Sequence, residues 1–295
     1  MTTYAYDGAG NVLKVTDNEG NQVKFFYDLL QRKTSLVDPD LGMWNYTYDG
    51  VGNLLTQLDP RGNVTSFTYD ALDRVTQKTV GGETFTYTYD NLTLGTLSSM
   101  SGQGLIRSYT YDNRLRVATD TKSIHNATFT TQASYDSLDR STSVQLIGGE
   151  TIAQSYTDQG LLDVVTGIIT ATTHNEANAV NKRVYANSLT TNISYHPDNL
   201  RLTRIQTADK QNMSYSYDNV SNVVKIDDAV HVRTISMTYD ALSRLTSALR
   251  TDNGKIVFDF TYGYNAIGNM LNASSSNETL FFAYNNTPVH APIAV

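Results

Sequence analysis

"YTYDGVGNLL", residues 46–55, is followed by "FTYDALDRVT", residues 67–76, which repeats its pattern 21 residues later. Tyr46-Thr47-Tyr48 alternates, so in an extended chain both rings lie on one face, with a β-branched threonine between them that suits a pleated sheet. Asp49 then reads as the start of a turn, its carboxylate placed to accept backbone N–H groups two residues on. Gly52-Asn53 supplies residues that tolerate positive φ, as a hairpin connection requires. Leu54 onward reads as a second strand, and "DPRGN", 59–63, as a second turn. Two strands and two turns fill the period. One copy is one hairpin.

The second tyrosine of the phrase recurs at Tyr6, Tyr27, Tyr48, Tyr69, Tyr89, Tyr111, Tyr135, Tyr156, Tyr195, Tyr217, Tyr239, Tyr264 and Tyr284. Aspartate follows it at Asp7, Asp28, Asp49, Asp70, Asp90, Asp112, Asp136, Asp218 and Asp240. Fixed-period self-similarity of this kind marks a repeat array, in which each unit stands only by packing on its neighbours. The spacing predicts one array over residues 1–295, of about 13–14 units, with 39 residues between Tyr156 and Tyr195. That gap is nearly two periods. A degenerate unit is therefore expected within about 160–192, near His174 and Asn175, with "NEANAVNKRVYANSL", 175–189, looping out of it. The first copy begins at residue 4 and the last, "FFAYNN" at 281–286, is cut short, which reads as a fragment of a longer array.

Composition narrows the function classes. The 295 residues carry 20 Tyr and 9 Phe, 40% apolar and 17% charged residues, too aromatic for disorder and too polar for a membrane protein. No apolar run approaches the roughly 18 residues of a spanning helix. The net charge is −7 with no basic cluster, which excludes phosphate-led recognition of nucleic acid. There is no cysteine, hence no disulfide, thiol chemistry or thiolate metal site.

The phrase Y-x-Y-D-x-x-G-[NR]-L resembles the RHS/YD-repeat family, and the resemblance runs from residue 4 to about 286. That family includes shell subunits of bacterial insecticidal toxin complexes, Rhs toxins and, more distantly, the teneurins. The resemblance implies an all-β fold, with tandem antiparallel hairpins forming a continuous curved or spiralling ribbon that is part of a hollow shell. It implies a non-catalytic scaffold in a large secreted or cell-surface protein. Its partners would be the rest of the shell and an enclosed or presented C-terminal toxin or effector, and no cofactor is implied. The other reading is an adhesion module, binding glycan or protein through exposed Tyr and Asn along the ribbon. Some relatives cleave themselves at an aspartate in a D-P-x-G setting. "DPDLG" (38–42) and "DPRGN" (59–63) occupy the second-turn position, so Asp38 and Asp59 are read as turn residues.

No local constellation points to catalysis. His125, His174, His196, His231 and His290 are not paired at metal-ligand spacing. Asp38/Asp40, Asp17/Glu19 and Asp227/Asp228 fall short of the six to eight oxygens Ca²⁺ wants, and are read as turn caps. Arg74, Arg140 and Arg244 recur at the Asn/Arg position, where pairing with an acidic neighbour or exposure to solvent is expected. Ten N-x-[ST] sequons follow from a chain rich in Asn, Ser and Thr. The repeat tyrosines and aspartates are read as structural, the rings packing one unit on the next.

Overall fold

The computed structural model describes residues 1–284 and 289–292, and these are strand and turn without a helix. Residues 285 and 286 of the short last copy, and the sequon at Asn285, lie outside the described residues. The described residues cluster into two units, 1–151 with 284 and 289–292, and 152–283. In the first, fourteen strands run from β1 (Thr3–Tyr6) to β14 (Ser141–Gln145), and in the second thirteen run from β15 (Thr151–Tyr156) to β27 (Thr279–Phe281). Within each unit every strand pairs antiparallel with the next in sequence, as β5 (Gly42–Tyr48) does with β6 (Leu54–Leu58), and β6 with β7 (Val64–Tyr69). The fold is all-β and built of tandem hairpins.

The ladder is one layer thick. Among the described residues only Ile169 and Val289 are buried hydrophobics, and no side chain is completely enclosed. Stability must therefore come from strand-to-strand contacts repeated along the ribbon rather than from a central core.

Each tyrosine-bearing strand enters its turn through a register shift at the tyrosine itself, as at Thr47/Tyr48 and Thr68/Tyr69. The Asp49 N–H then donates to the Asn53 carbonyl (3.0 Å) and the Gly52 N–H to the Asp49 carbonyl (3.3 Å). This is a three-residue loop whose last member is left-handed, a common hairpin solution. The left-handed residue is the one before Asn or Arg: Gly10 (φ 90°), Gly52 (φ 107°), Asp73 (φ 60°) and Asp139 (φ 63°). The sequence expectation gave positive φ to the Gly-Asn pair. Asn53 and Arg74 instead carry no left-handed φ, which frees their side chains to turn back on the aspartate.

The stretch 175–189 does not loop out. It holds β18 (Val180–Tyr185), paired on one side with β17 (Ile169–His174) and on the other with β19 (Thr190–Tyr195). A segment without helical period is here a strand, not a loop. The segment Val180-Asn181-Lys182-Arg183-Val184-Tyr185 has no clean alternation of its own, and it is a strand because β17 and β19 on either side supply its hydrogen bonds.

Candidate functional site

Asp70 shows what the repeated aspartate does. Its Oδ1 accepts the N–H groups of Leu72 (2.9 Å) and Arg74 (3.0 Å), and its Oδ2 accepts Arg74 Nε at 2.8 Å. One carboxylate thus satisfies the three donors of its own loop. Asp7, Asp28, Asp49, Asp112, Asp136, Asp218 and Asp240 hold their turns in the same way, with Asn or Arg as the side-chain donor. Asp90 departs from the pattern. Its loop is longer, closed by the Asp90 N–H to the Thr96 carbonyl, and its carboxylate receives both terminal nitrogens of Arg74 (3.1 and 2.7 Å).

The electrostatics follow from these bonds. Asp7, Asp59 and Asp70 are held below the ordinary carboxylate value first by the side-chain donor of Asn11, Asn63 or Arg74, then by backbone amides. For Asp28 and Asp240 the first cause is the backbone amide of Arg32 or Arg244. Asp59 and Asp38 sit in second turns. Asp59 is clamped by Arg61 N, Asn63 N and Asn63 Nδ2, and Asp38 Oδ1 accepts the amides of Asp40 and Leu41.

Where the tyrosine or aspartate is replaced, the turn keeps its shape with a weaker clamp. His174 takes the tyrosine position, and Asn175 Oδ1 accepts the amides of Ala177 (3.0 Å) and Ala179 (2.9 Å). Asn265 does likewise for Ile267 and Asn269.

The tyrosines connect units. Tyr48 Oη donates to the Lys33 carbonyl (2.9 Å) and Tyr69 Oη to the Leu54 carbonyl (2.8 Å), each one hairpin back. Tyr27, Tyr89, Tyr111, Tyr135, Tyr239 and Tyr264 repeat the bond to Val12, Val75, Leu97, Val117, Val223 and Leu245. The acceptor is the residue just after Asn or Arg of the preceding turn, except at Tyr111, whose preceding turn is the longer Asp90 loop, and at Tyr195, whose acceptor Val180 follows Ala179 (3.0 Å). Burial raises the Tyr48, Tyr69 and Tyr89 hydroxyls above their ordinary value. Tyr6, on β1, is 58% exposed. Tyr217 carries the Arg201 guanidinium 5.6 Å from its ring centroid.

Arginine supplies a link the sequence reading missed. Arg32, having clamped Asp28, donates Nη1 to the Asp49 carbonyl (2.6 Å) and lies 5.1 Å from the Tyr48 ring centroid. Arg74 lies 4.4 Å from the Tyr89 ring, Arg116 4.7 Å from Tyr135 and Arg244 4.9 Å from Tyr264. A single guanidinium therefore closes its own turn, reaches the next turn and covers the next tyrosine, which a lysine ammonium cannot do. Asparagine does part of this: Asn53 Nδ2 bonds both Asp49 and Asp73 (3.0 and 2.7 Å). The signal was present in the spacing, since Arg precedes the next tyrosine by 15 to 20 residues.

The comparisons agree with this architecture. Residues 2–41 and 48–84 match the family model described as RHS Repeat. Those residues, about a quarter of the chain, are similar to RHS repeats. No curated protein matches it. Among solved structures, TcdB2-TccC3 is similar with a TM-score of 0.84 at 18% identity, over 97% of this chain and 19% of that one. TcdB2-TccC3 without its hypervariable C-terminal region gives 0.84 at 17%, over 100% and 18%. The Photorhabdus luminescens Tc holotoxin pore gives 0.82 at 18%, over 97% and 18%. At such identity the likeness concerns the fold. The chain spans about a fifth of the length of those chains. Among the described residues no helix is long and apolar enough to cross a membrane, and no group of three His, Asp or Glu side chains is placed to hold a metal ion.

Proposed function

We propose that this chain is a non-catalytic structural segment of a large secreted or surface RHS-repeat protein, contributing hairpins to a β-shell that encloses or presents a C-terminal toxin or effector. One observation carries the reading. In most units the repeated side chains are committed to neighbouring units: tyrosine hydroxyls to carbonyls one hairpin back and, where arginine is present, guanidiniums to the next turn and the next ring. A ligand-binding stripe would keep those groups open. The similar solved structures of TcdB2-TccC3 support the shell by their fold.

A glycan-array screen of the purified chain tests this against adhesion. Silence is the expected result. A glycan signal abolished by Tyr69→Ala, with the melting temperature unchanged, would replace the scaffold reading by the adhesion module.

A further inference from the structure

Val289 and His290 lie against the first hairpins of the chain, 250 residues away in sequence. Val289 is 6% exposed, one of only two buried hydrophobics among the described residues. The His290 backbone N–H donates to Asp40 Oδ1 at 2.8 Å, and His290 Nδ1 bonds Asp40 Oδ2. His290 Nε2 lies 3.9 Å from Asp17 Oδ2. Asp17 opens the second turn of the first unit and Asp40 lies in that of the next, so the two carboxylates flank a notch on the edge opposite the YD turns.

The chemistry of the contact is specific. An ionised carboxylate only accepts, so the proton lies on Nδ1, and the Asp40 carboxylate takes the His290 backbone N–H and ring N–H together with the Val289 backbone N–H. Asp40 makes no clamp of its own: the carboxylate that organises its turn is Asp38. Asp17 is already bonded by the Asn21 amide and side chain. The Asp40 carboxylate is thus free of turn duty and filled by His290, with Val289 as the apolar anchor beside it.

We propose that the notch between the Asp17 and Asp40 turns is a docking site whose occupant is the chain's own Val289–His290. The clasp fixes Val289 and His290 onto the first two hairpins and keeps that part of the edge from any other ribbon or partner. It stands independently of the shell reading.

Hydrogen exchange followed by mass spectrometry on the full chain tests it. In His290→Ala and in Asp40→Asn, peptides covering 36–45 should exchange faster, by roughly tenfold if the clasp holds the turn closed. Peptides covering 64–76 should not change. The double variant should lose less than the sum of the two singles, because both remove the ring–carboxylate bond. Unchanged exchange at 36–45 in both single variants would overturn the clasp. So would effects that add in the double variant, since the residues would then act separately.

Discussion

The two edges of the ribbon solve the same problem differently. At the YD edge, between β7 and β8 (Val75–Val80), Asp70 closes its loop and Arg74 carries the connection on to Asp90 and the Tyr89 ring. At the opposite edge, between β8 and β9 (Glu83–Tyr89), Gly81 and Gly82 turn the chain with φ of 58° and 86° and no carboxylate. Gln103-Gly104 and Asn253-Gly254 are similar pairs with both φ positive, the two-residue geometry that matches strand twist. Asp17 and Asp59 show that the aspartate clamp can serve there too. What the opposite edge lacks is a repeated side-chain staple; where its turns meet, backbone does the work, as from Asn253 N to the Val232 carbonyl (2.8 Å). The constant letters of the repeat thus mark coupling between units. Turn closure alone tolerates many spellings.

Acid should produce the largest effect and fall on both edges at once. Asp7, Asp28, Asp49, Asp59, Asp70, Asp112, Asp136, Asp218 and Asp240 are all depressed in the folded chain. Unfolding returns them to about 3.9. Below that value the unfolded state binds more protons, so the stability these groups confer is present above about pH 4 and lost as pH falls through their folded values. Thermal melts by circular dichroism should be nearly flat between pH 7 and pH 5 and drop steeply by pH 3. The tyrosines work in the other direction: with folded values raised, their contribution is intact below about pH 10 and declines above it. A melting temperature held to pH 3 would mean the clamps contribute nothing.

Tyr69→Ala sharpens the contrast between coupled and uncoupled rings. The part-buried ring packs against its neighbours and its hydroxyl bonds the Leu54 carbonyl. Losing both should cost about 2–4 kcal/mol in denaturant unfolding, below the full-burial range because the sheet is one layer thick. Tyr6→Ala, at a 58% exposed ring, should cost less than about 1 kcal/mol. Equal costs would show that the tyrosine matters as a strand former and not as a link.

Much of this was legible in the sequence because it is local. Asp49 to the amide two residues on, and Arg74 back to Asp70, are contacts within five residues, so spacing alone announces them. The same holds for the substitute turn at His174-Asn175. Contacts between units were harder. That Arg74 lies on Tyr89 depends on strand register and on the bulge at the tyrosine, neither of which a single copy of the motif reveals. The strand at Val180–Tyr185 was lost for a related reason: its pairing partners, not its own letters, decide it. Val289 and His290 were illegible outright, since nothing in a repeat period points to a contact 250 residues away.

Arg74→Lys tests the staple in particular. Lysine keeps the charge but cannot hold Asp70 and Asp90 together while lying over the Tyr89 ring. The melting temperature should fall by a few degrees. Arg61→Lys, in the opposite-edge turn that Asn63 closes without it, should leave the melt unchanged. A fall of the same size at Arg61 would erase the distinction between the edges.

The smallest effects should come from two glycines of one YD turn, and they should have opposite signs. Gly50 and Gly52 flank Val51 in the loop between Asp49 and Asn53, and a Cβ at either would meet nothing within 4 Å. Contacts therefore cannot distinguish them, and only backbone conformation can. Gly52 has φ +107°, where an L side chain is strained, so Gly52→Ala should destabilise by roughly 1 kcal/mol. Gly50 has no such φ, and Ala71 fills the same place in the following unit. Gly50→Ala should stabilise by about 0.4–1 kcal/mol, chiefly by restricting the unfolded chain. Denaturant midpoints at constant slope read both values. Two losses of equal size would mean that the loop is not the type I turn with a left-handed closing residue on which the aspartate clamp depends, and the account of the YD edge would have to be rebuilt from that residue outward.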